Sequence, residues 1–347
     1  MATLKVKTMA EMMANNETPE VLFWVGCAGS FDDRAKKITK AMVKILNHVG
    51  INFAILGQEE TCTGDPAKRA GNEFLYQMQA TMNIQVLNAY GIKNIVTTCP
   101  HCFNTLKNEY PDLGGHYKVQ HHTQFIQELI NKGKLKIEGG TYKGKKITFH
   151  DPCYLGRANG EYEAPRSLIA KLDAELVEMK RCKTNGLCCG AGGAQMFKEA
   201  EKGDKEINIE RTEEAIELNP EVIATGCPFC NTMLTDGVKL KNKDKNIKVI
   251  ANTDPKLLAE KSKVAFETRC KSFYNEIVSA NFSLPQYDSF IKAFEGYEQL
   301  KNQGKVQNEI LTIVDFSLSS SEDRMWVIDM ATKKVVLQTL VAHGRHL

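Results

Sequence analysis

The stretch Asn185-Gly-Leu-Cys-Cys-Gly-Ala-Gly-Gly-Ala194 places two adjacent cysteines, Cys188 and Cys189, in a run of small residues. Adjacent cysteines seldom bond to each other, because a vicinal disulfide distorts the backbone and the two Cβ vectors diverge. Glycines let the backbone approach a bulky group closely and adopt positive φ angles. The stretch therefore predicts a loop that presents two sulfurs to one bound object.

The cysteine pattern around this stretch occurs twice along the chain. Three pairs recur at offsets of 126, 126 and 128 positions: Cys27 and Cys153, Cys62 and Cys188, and Cys99 and Cys227. The third cysteine of each copy opens a Cys-Pro-x-Cys turn, which ends at Cys102 and Cys230. Three matched offsets indicate an internal duplication. The copies differ at one position, since Thr63 stands where the second copy has Cys189.

Short apolar runs typical of buried strands alternate with helical patterns in both copies. The predicted strands span residues 21–26, 51–56, 94–98, 146–151, 174–179 and 221–225. The predicted helices include one that Asp32 and Asp33 can cap, one over 67–90, and a long polar one from the Cys188-Cys189 loop to about Leu218. This alternation predicts an α/β fold of two tandem repeats, each a mainly parallel sheet flanked by helices. The predicted divisions are a loose lead-in over 1–20, the first repeat over 21–140, the second repeat over 141–250 and a C-terminal segment over 251–347.

Composition narrows the class of protein. The chain has 347 residues, a formal net charge of +3 and no Lys/Arg cluster, so its charge gives no indication of nucleic-acid binding. No apolar run reaches membrane-spanning length, and residues 1–20 lack the apolar core of a signal peptide. We therefore expect a cytoplasmic protein without a direct membrane span. Eleven cysteines in that reducing compartment favour metal ligation or redox chemistry over disulfides.

The motif cysteines follow the carboxyl ends of predicted strands, where open α/β sheets place their ligands. Converging thiolates repel one another, and a bound metal relieves that repulsion. The helix N-termini at Cys99-Pro100 and Cys227-Pro228 add partial positive charge that favours thiolate. Zinc prefers four ligands, which suits copy one, whereas copy two has a fifth cysteine and suits an iron–sulfur cluster.

The order Cys, Cys-Cys-Gly, Cys-x-x-Cys resembles the cysteine-rich CCG domain of heterodisulfide reductase B-type subunits and related iron–sulfur oxidoreductase subunits. The segments that carry the resemblance are Val21-Leu-Phe-Trp-Val-Gly-Cys-Ala-Gly-Ser30, Cys62-Thr-Gly-Asp-Pro66, Cys99-Pro-His-Cys-Phe103, His150-Asp-Pro-Cys153, Cys188-Cys-Gly-Ala-Gly-Gly193 and Cys227-Pro-Phe-Cys230. In that family a complete motif holds a non-cubane [4Fe–4S] cluster, and the protein exchanges electrons with a disulfide or another acceptor.

The resemblance implies a ligand set for each repeat. The implied [4Fe–4S] ligands of the second repeat are Cys153, Cys188, Cys189, Cys227 and Cys230. The implied metal ligands of the first repeat are Cys27, Cys62, Cys99 and Cys102. Because Thr63 replaces a ligand there, a conventional cluster, zinc and an empty structural site all stay open.

These implications describe an electron-transfer subunit of a heterodisulfide-reductase-like oxidoreductase. The chain carries no nicotinamide or flavin fingerprint, so electrons would enter from a partner subunit with ferredoxin-like clusters or a flavin. Such a partner could also hold the chain at a membrane complex. The alternative is a structural zinc-binding scaffold without redox activity. No catalytic side chain is assigned.

Other candidate residues receive plainer interpretations. Cys182 and Cys270 fit no motif position and are expected to be ordinary thiols. His121 and His122 sit near a predicted helix start and are expected to cap it or lie on the surface. The histidines beside motif cysteines, His101 and His150, are expected to tune or pack rather than to ligate.

The C-terminal segment is expected to form helices over 256–280 and 286–303, followed by a β-hairpin. It resembles the opening of an L,D-transpeptidase-like domain. The matching stretches are Ala293-Phe-Glu-Gly-Tyr297, Leu311-Thr-Ile-Val-Asp-Phe-Ser317, Arg324-Met-Trp-Val-Ile-Asp329 and Val341-Ala-His-Gly-Arg345. In that family the catalytic cysteine and histidine lie further downstream, so the resemblance implies a truncated and catalytically inactive domain.

Overall fold

The computed structural model describes residues 6–137, 142–199, 202–241, 246–251, 270–279, 281–302, 306–315, 317–319 and 321–341. The chain forms two compact units, Met1–Lys261 and Ser262–Leu347. Both cysteine-rich repeats belong to the first unit.

A five-stranded parallel sheet organises the first repeat, in the order β1-β3-β2-β4-β5. Its strands are β1 (Lys7–Thr8), β2 (Val21–Trp24), β3 (Phe53–Ile55), β4 (Asn94–Thr97) and β5 (Lys118–His121). All four residues of β2 are buried, because helices cover both faces of the sheet. One face packs against a cluster around Leu22 and Phe103, and the other against a cluster around Phe23 and Leu46.

Seven α-helices accompany this sheet. They are α1 (Met9–Ala14), α2 (Gly26–Phe31), α3 (Asp33–His48), α4 (Asp65–Arg69), α5 (Glu73–Ala89), α6 (Pro100–Asn104) and α7 (His122–Asn131). The Asp32 side chain caps α3 by accepting the backbone N–H groups of Arg34 and Ala35, as its sequence position predicts.

Two local predictions for the first repeat are wrong. The lead-in is not loose in the part that the structure describes, because β1 joins the sheet edge and α1 buries Met9 and Met12. The single helix expected over residues 67–90 is two helices, α4 and α5. Gly71 separates them with a φ of +85°, which an α-helix does not accommodate.

A four-stranded parallel sheet organises the second repeat, in the order β7-β6-β8-β9. Its strands are β6 (Lys146–His150), β7 (Glu175–Leu176), β8 (Val222–Thr225) and β9 (Lys248–Ala251), and its helices are α8 (Glu163–Ala170), α9 (Ile207–Glu217) and α10 (Pro228–Leu240). The α/β fold of tandem parallel sheets is confirmed. The strand expected over 174–179 is only two residues long, and the helix after the Cys188 loop is shorter than expected.

The described residues of the second unit include a three-stranded antiparallel sheet and a long helix. The elements are α11 (Tyr287–Asn302), β10 (Ile310–Val314), β11 (Met325–Asp329) and β12 (Lys334–Thr339). β11 and β12 form the predicted hairpin, and α11 the predicted second helix. Residues 270–276 are helical, and the rest of the helix expected over 256–280 lies mostly outside the described residues.

None of the helices in the described parts of the chain is long and apolar enough to cross a membrane.

Candidate metal centre

Each repeat places two motif cysteines directly beyond neighbouring parallel strands. Cys27 and Cys153 come three residues after the ends of β2 and β6, and Cys99 and Cys227 come two residues after the ends of β4 and β8. β2 pairs with β4, and β6 pairs with β8. Since the carboxyl ends of parallel strands meet at one edge of a sheet, cysteines distant in sequence converge there.

The five cysteines of the second repeat form one continuous chain of sulfur contacts. The Cys188 side chain packs on a buried cluster that contains Cys189, Cys227 and Cys230, and it lies beside Cys153. Cys189 Sγ lies 3.2 Å from Cys230 Sγ, and Cys230 contacts Cys227 in turn. Cys189, Cys227 and Cys230 are buried, whereas Cys153 and Cys188 are half-buried. The five cysteines that the resemblance implied as ligands therefore lie in one region of the second repeat.

Charge within this chain of sulfurs concentrates on Cys188. Hydrogen bonds from Cys153 and Cys189 hold the pKa of the Cys188 thiol far below its usual range. Because Cys189 donates to Cys188, the pKa of Cys189 rises to about 12. Without a cation, one thiolate is therefore stabilised by neutral thiols, and ionising the whole set requires positive charge among the sulfurs.

The loop after Cys189 brings backbone close to these sulfurs. The Gly190 N–H lies 3.4 Å from Cys188 Sγ. Gly190 has a φ of +86°, and a Cβ atom there would meet the Asn208 backbone nitrogen and the Ile207 Cβ at 3.4 Å. A side chain is therefore strained at Gly190, because both its backbone conformation and its tight packing on α9 disfavour one.

The four cysteines of the first repeat line one pocket. The Cys27 thiol donates to Cys62, and that hydrogen bond lowers the pKa of Cys62 to about 7. The Cys102 thiol donates to Cys99. A Cβ atom at Gly26 would lie 3.2 Å from Cys102 Sγ, so this position too holds backbone close to sulfur.

Thr63 occupies the position that Cys189 has in the second repeat. Its side chain is buried, and its Oγ1 lies 4.0 Å from Cys102 Sγ. The hydroxyl therefore stands at the edge of the sulfur set, and the first repeat offers four sulfurs and one hydroxyl.

A buried ion pair beside the first set was missed from the sequence. His101 Nδ1 lies 2.7 Å from a carboxylate oxygen of Asp65, and the other oxygen accepts from Arg69 Nε at 3.1 Å. Burial acts to lower the pKa of His101, but the bond to Asp65 and the nearby Cys99 charge raise it overall. The sequence signal was Asp65 in the first turn of a helix two residues after the Cys62-Thr63 pair.

The two sulfur sets adjoin each other. Burial, together with the neighbouring Cys99 of the first repeat, raises the pKa of the Cys227 thiol of the second repeat. The ring of Phe229 reaches the first set, and its centroid lies 5.0 Å from that of His101. The two predicted metal sites are therefore neighbours across the contact between repeats.

Residues 21–107 and 147–235 each match the family model of the cysteine-rich CCG domain. The two segments cover about half of the chain and contain all nine motif cysteines. The chain belongs to the CCG cysteine-rich domain family. Residues 283–347 match the L,D-transpeptidase catalytic domain, the second resemblance expected from the sequence.

The CCG repeats also align with curated proteins. "Probable iron-sulfur-binding oxidoreductase FadF" of Bacillus subtilis (strain 168) is 46% identical over 245 residues, which are 70% of this chain and 34% of that protein. "EtfAB:quinone oxidoreductase" of Syntrophomonas wolfei is 45% identical over 236 residues, with coverages of 66% and 33%. One component of the dihydromethanophenazine:CoB--CoM heterodisulfide reductase of Methanosarcina barkeri is 34% identical over 229 residues, with coverages of 63% and 54%. The chain spans about a third to a half of the length of these relatives.

The second CCG repeat fits an iron–sulfur cluster. A closed zinc site needs four ligands, and this repeat gathers five cysteines at one site, where Cys189 Sγ lies 3.2 Å from Cys230 Sγ. The N–H of Gly190 lies close to a sulfur, as cluster thiolates require for tuning of their potential. The first CCG repeat, with four sulfurs, fits zinc or a conventional cluster.

His150 approaches the sulfurs of the second CCG repeat. One of its ring nitrogens, Cys189 Sγ and Cys230 Sγ all lie within 4.8 Å of one another, and all three residues are buried. Burial, reinforced by the charge of Arg211, lowers the pKa of His150 to about 3. His150 therefore lies in the site as a neutral ring.

Two further cysteines, Cys182 and Cys270, belong to neither motif. Cys182 faces Glu178, Arg166 and Asp151, and Cys270 is buried in the core of the second unit.

The expectation for the paired histidines is correct in part. His121 is the N-cap of α7, and the Gln124 side chain accepts its backbone N–H at 3.1 Å. Both His121 and His122 are buried, so their placement on the surface was wrong. They lie inside because the strand that precedes them belongs to the parallel sheet, whose faces are both covered.

Proposed function

We propose that this chain is an electron-transfer module of an iron–sulfur oxidoreductase, with a [4Fe–4S] cluster in the second CCG repeat. The observation that carries the proposal is the chain of five sulfurs from Cys153 to Cys227 through Cys188, Cys189 and Cys230. The cluster would supply one-electron transfer. The protein's part is to hold the thiolates at one edge of the sheet, to exclude water, and to place backbone N–H groups at sulfur.

Two features support an iron–sulfur centre over a purely structural metal. Relatives that share this half of the chain are named as an iron-sulfur-binding oxidoreductase, a quinone oxidoreductase and part of a heterodisulfide reductase. The fifth sulfur, that of Cys189, has no use in a four-coordinate zinc site. A non-cubane form of the cluster, as the family resemblance implies, would employ it.

The first CCG repeat is proposed to hold a simpler centre, either a conventional cluster or zinc, on Cys27, Cys62, Cys99 and Cys102. Its sulfur set adjoins that of the second repeat through Cys99 and Cys227. If it holds a cluster, electrons could pass between the two centres. If it holds zinc, its role is structural and consists of holding in place the residues that adjoin the second-repeat centre.

Electrons are proposed to arrive from a redox partner that carries ferredoxin-like clusters or a flavin. One relative of this chain, 42% identical over 228 residues, is named "Probable membrane-anchored ferredoxin". This printed name supports a cytoplasmic module that works at the membrane through its partner or through further segments.

Metal and sulfide analysis of anaerobically purified protein tests the proposal. We expect iron and acid-labile sulfide, together with an EPR signal in an oxidised or reduced state. Cys189→Ser should change that signal, whereas Cys182→Ser should leave it intact, because Cys182 lies outside both sulfur sets. A colourless protein that contains zinc alone would refute the proposal and establish the alternative, a zinc-binding scaffold without redox activity.

A further inference from the structure

The imidazole of His150 lies beside the sulfurs of the second repeat and has one ring nitrogen without a hydrogen-bond partner among the described residues. His150 is fully buried at the end of β6. A ring nitrogen lies within 4.8 Å of Cys189 Sγ and Cys230 Sγ, and Nε2 has no hydrogen-bond partner among the residues that the structure describes. A buried polar atom without a partner is costly, so a native protein normally uses it.

Arg211 determines which ring nitrogen carries the proton. Its Nε–H donates to His150 Nδ1 at 3.0 Å. A guanidinium group has only donors, so Nδ1 must offer a lone pair and the ring proton must sit on Nε2. Arg211 is itself fully buried, and it is anchored by the backbone oxygen of Arg181 at 2.7 Å and the carboxylate of Glu214 at 3.1 Å. The imidazole is thereby held in one tautomer.

We propose that His150 donates its Nε2–H to a thiolate of the second-repeat centre and thereby raises the reduction potential of that centre. Reduction adds negative charge to the cluster and its sulfurs, so a fixed N–H donor stabilises the reduced state more than the oxidised one. The same tautomer excludes His150 as a ligand, since Nδ1 is occupied by Arg211 and Nε2 bears the proton. Arg211 acts through His150, as a positioning residue.

The first repeat supports a donor role at this position. Trp24 stands 126 positions before His150, the offset that also relates Cys27 to Cys153. It ends β2 as His150 ends β6, and its ring packs in the same buried cluster as Cys99 and Cys102. Its Nε1 is also buried without a partner among the described residues. Because an indole nitrogen can donate but cannot ligate, the shared feature of the two repeats is a ring N–H, not a metal ligand.

The test rests on the proposed function and uses the full chain, purified anaerobically. The midpoint potential of the second-repeat centre is followed by EPR in wild type, His150→Leu and His150→Gln, with Trp24→Phe as the matched variant in the other repeat. We expect His150→Leu to decrease the equilibrium constant for reduction about tenfold, which lowers the midpoint potential of a one-electron couple by 59 mV. His150→Gln keeps an N–H donor and should retain most of the wild-type potential. Trp24→Phe should leave the second-repeat potential unchanged.

A spectroscopic measurement on the wild-type protein tests the role of His150 even if a variant fails to load iron. The protein is labelled with ¹⁵N-histidine, exchanged into D₂O and studied by EPR-based hyperfine spectroscopy. If His150 is a hydrogen-bond donor, its nitrogen couples weakly to the cluster spin and its proton near the cluster is exchangeable. A strong coupling typical of direct ligation, or no histidine coupling at all, would overturn the inference. So would a loaded His150→Leu protein with an unchanged potential. Failure of the proposed function itself is distinct, because the wild-type protein would then contain no iron–sulfur centre.

Discussion

Cys227 of the second repeat lies beside Cys99 of the first repeat, and burial together with this neighbour raises the pKa of the Cys227 thiol. Each of these residues is the N-cap of a helix that begins with proline, at the end of a strand in its own sheet. The two sheets therefore direct their corresponding edges at one another. This contact makes the two candidate centres a single electrostatic system.

This contact predicts that the first set influences the second. Cys99→Ser should shift the EPR line shape of the second-repeat centre, because it alters an atom in contact with the ligand Cys227. Cys62→Ser removes a ligand from the same first set without a contact to the second set, and should leave that line shape unchanged. Both substitutions are measured on anaerobically prepared protein. Equal effects on the line shape would show that the proximity of Cys99 to Cys227 does not couple the two centres.

Thr63→Cys should convert the four-sulfur set of the first repeat into a five-sulfur set. The Thr63 side chain is buried with its Oγ1 4.0 Å from Cys102 Sγ, so a thiol there would lie at the edge of the set. We expect more iron per chain than in wild type, measured together with sulfide. Thr63→Ser, which keeps the hydroxyl, is the control and should load like wild type; unchanged iron in Thr63→Cys would contradict the assignment of position 63.

Arg166→Met should destabilise the first unit by about 3–5 kcal/mol, because it leaves a buried carboxylate unpaired. Arg166 forms two hydrogen bonds of 2.8 and 2.9 Å with Asp151, which also accepts the Lys183 backbone N–H at 2.8 Å. Denaturant unfolding measures the change in free energy. The control is Arg157→Met, which removes an exposed guanidinium bound to the Gly186 carbonyl and should cost far less. Similar losses for both variants would mean that burial of the pair is unimportant.

His121 forms a contact between the repeats that we expect to weaken in acid. Its Nε2 lies 3.1 Å from the Gly226 carbonyl oxygen, and burial lowers its pKa to about 4, from an ordinary value near 6.5. The unfolded chain then binds more protons between these two values. The stability contributed by neutral His121 is thus complete above pH 6.5 and declines as the pH falls toward 4, by on the order of 3 kcal/mol in all.

The unfolding free energy of wild type should therefore fall between pH 7 and pH 5, and His121→Gln should show a shallower decline. Glutamine retains an N–H for the Gly226 carbonyl but does not titrate. His48→Gln, at an exposed position late in α3, serves as the control and should follow the wild-type slope. An identical slope in His121→Gln would exclude His121 as the source.

Much of the fold could be predicted because its signals are local or periodic. Apolar runs bounded by helical patterns marked β2, β4, β6 and β8, and Asp32 marked the start of α3. Short elements were predicted less well: β1 was not predicted, and β7 has two residues where a strand over 174–179 was expected. The extent of such short strands depends on the neighbouring strand that supplies their hydrogen bonds. The break at Gly71 also escaped, because a single glycine is compatible with both a helix and its end.

By itself the sequence determined the duplication and the parallel α/β repeats. It also predicted that cysteines distant in sequence converge, because residues after the carboxyl ends of neighbouring parallel strands lie at one edge of the sheet. Only the tertiary structure decided what surrounds the double cysteine. The repeat relates Cys99 to Cys227 in sequence but does not predict that they lie side by side, and no period or motif relates Arg211 to His150, to which it donates a hydrogen bond. Such pairings depend on how the two sheets and their helices pack, and packing is a property of the whole core rather than of any one stretch.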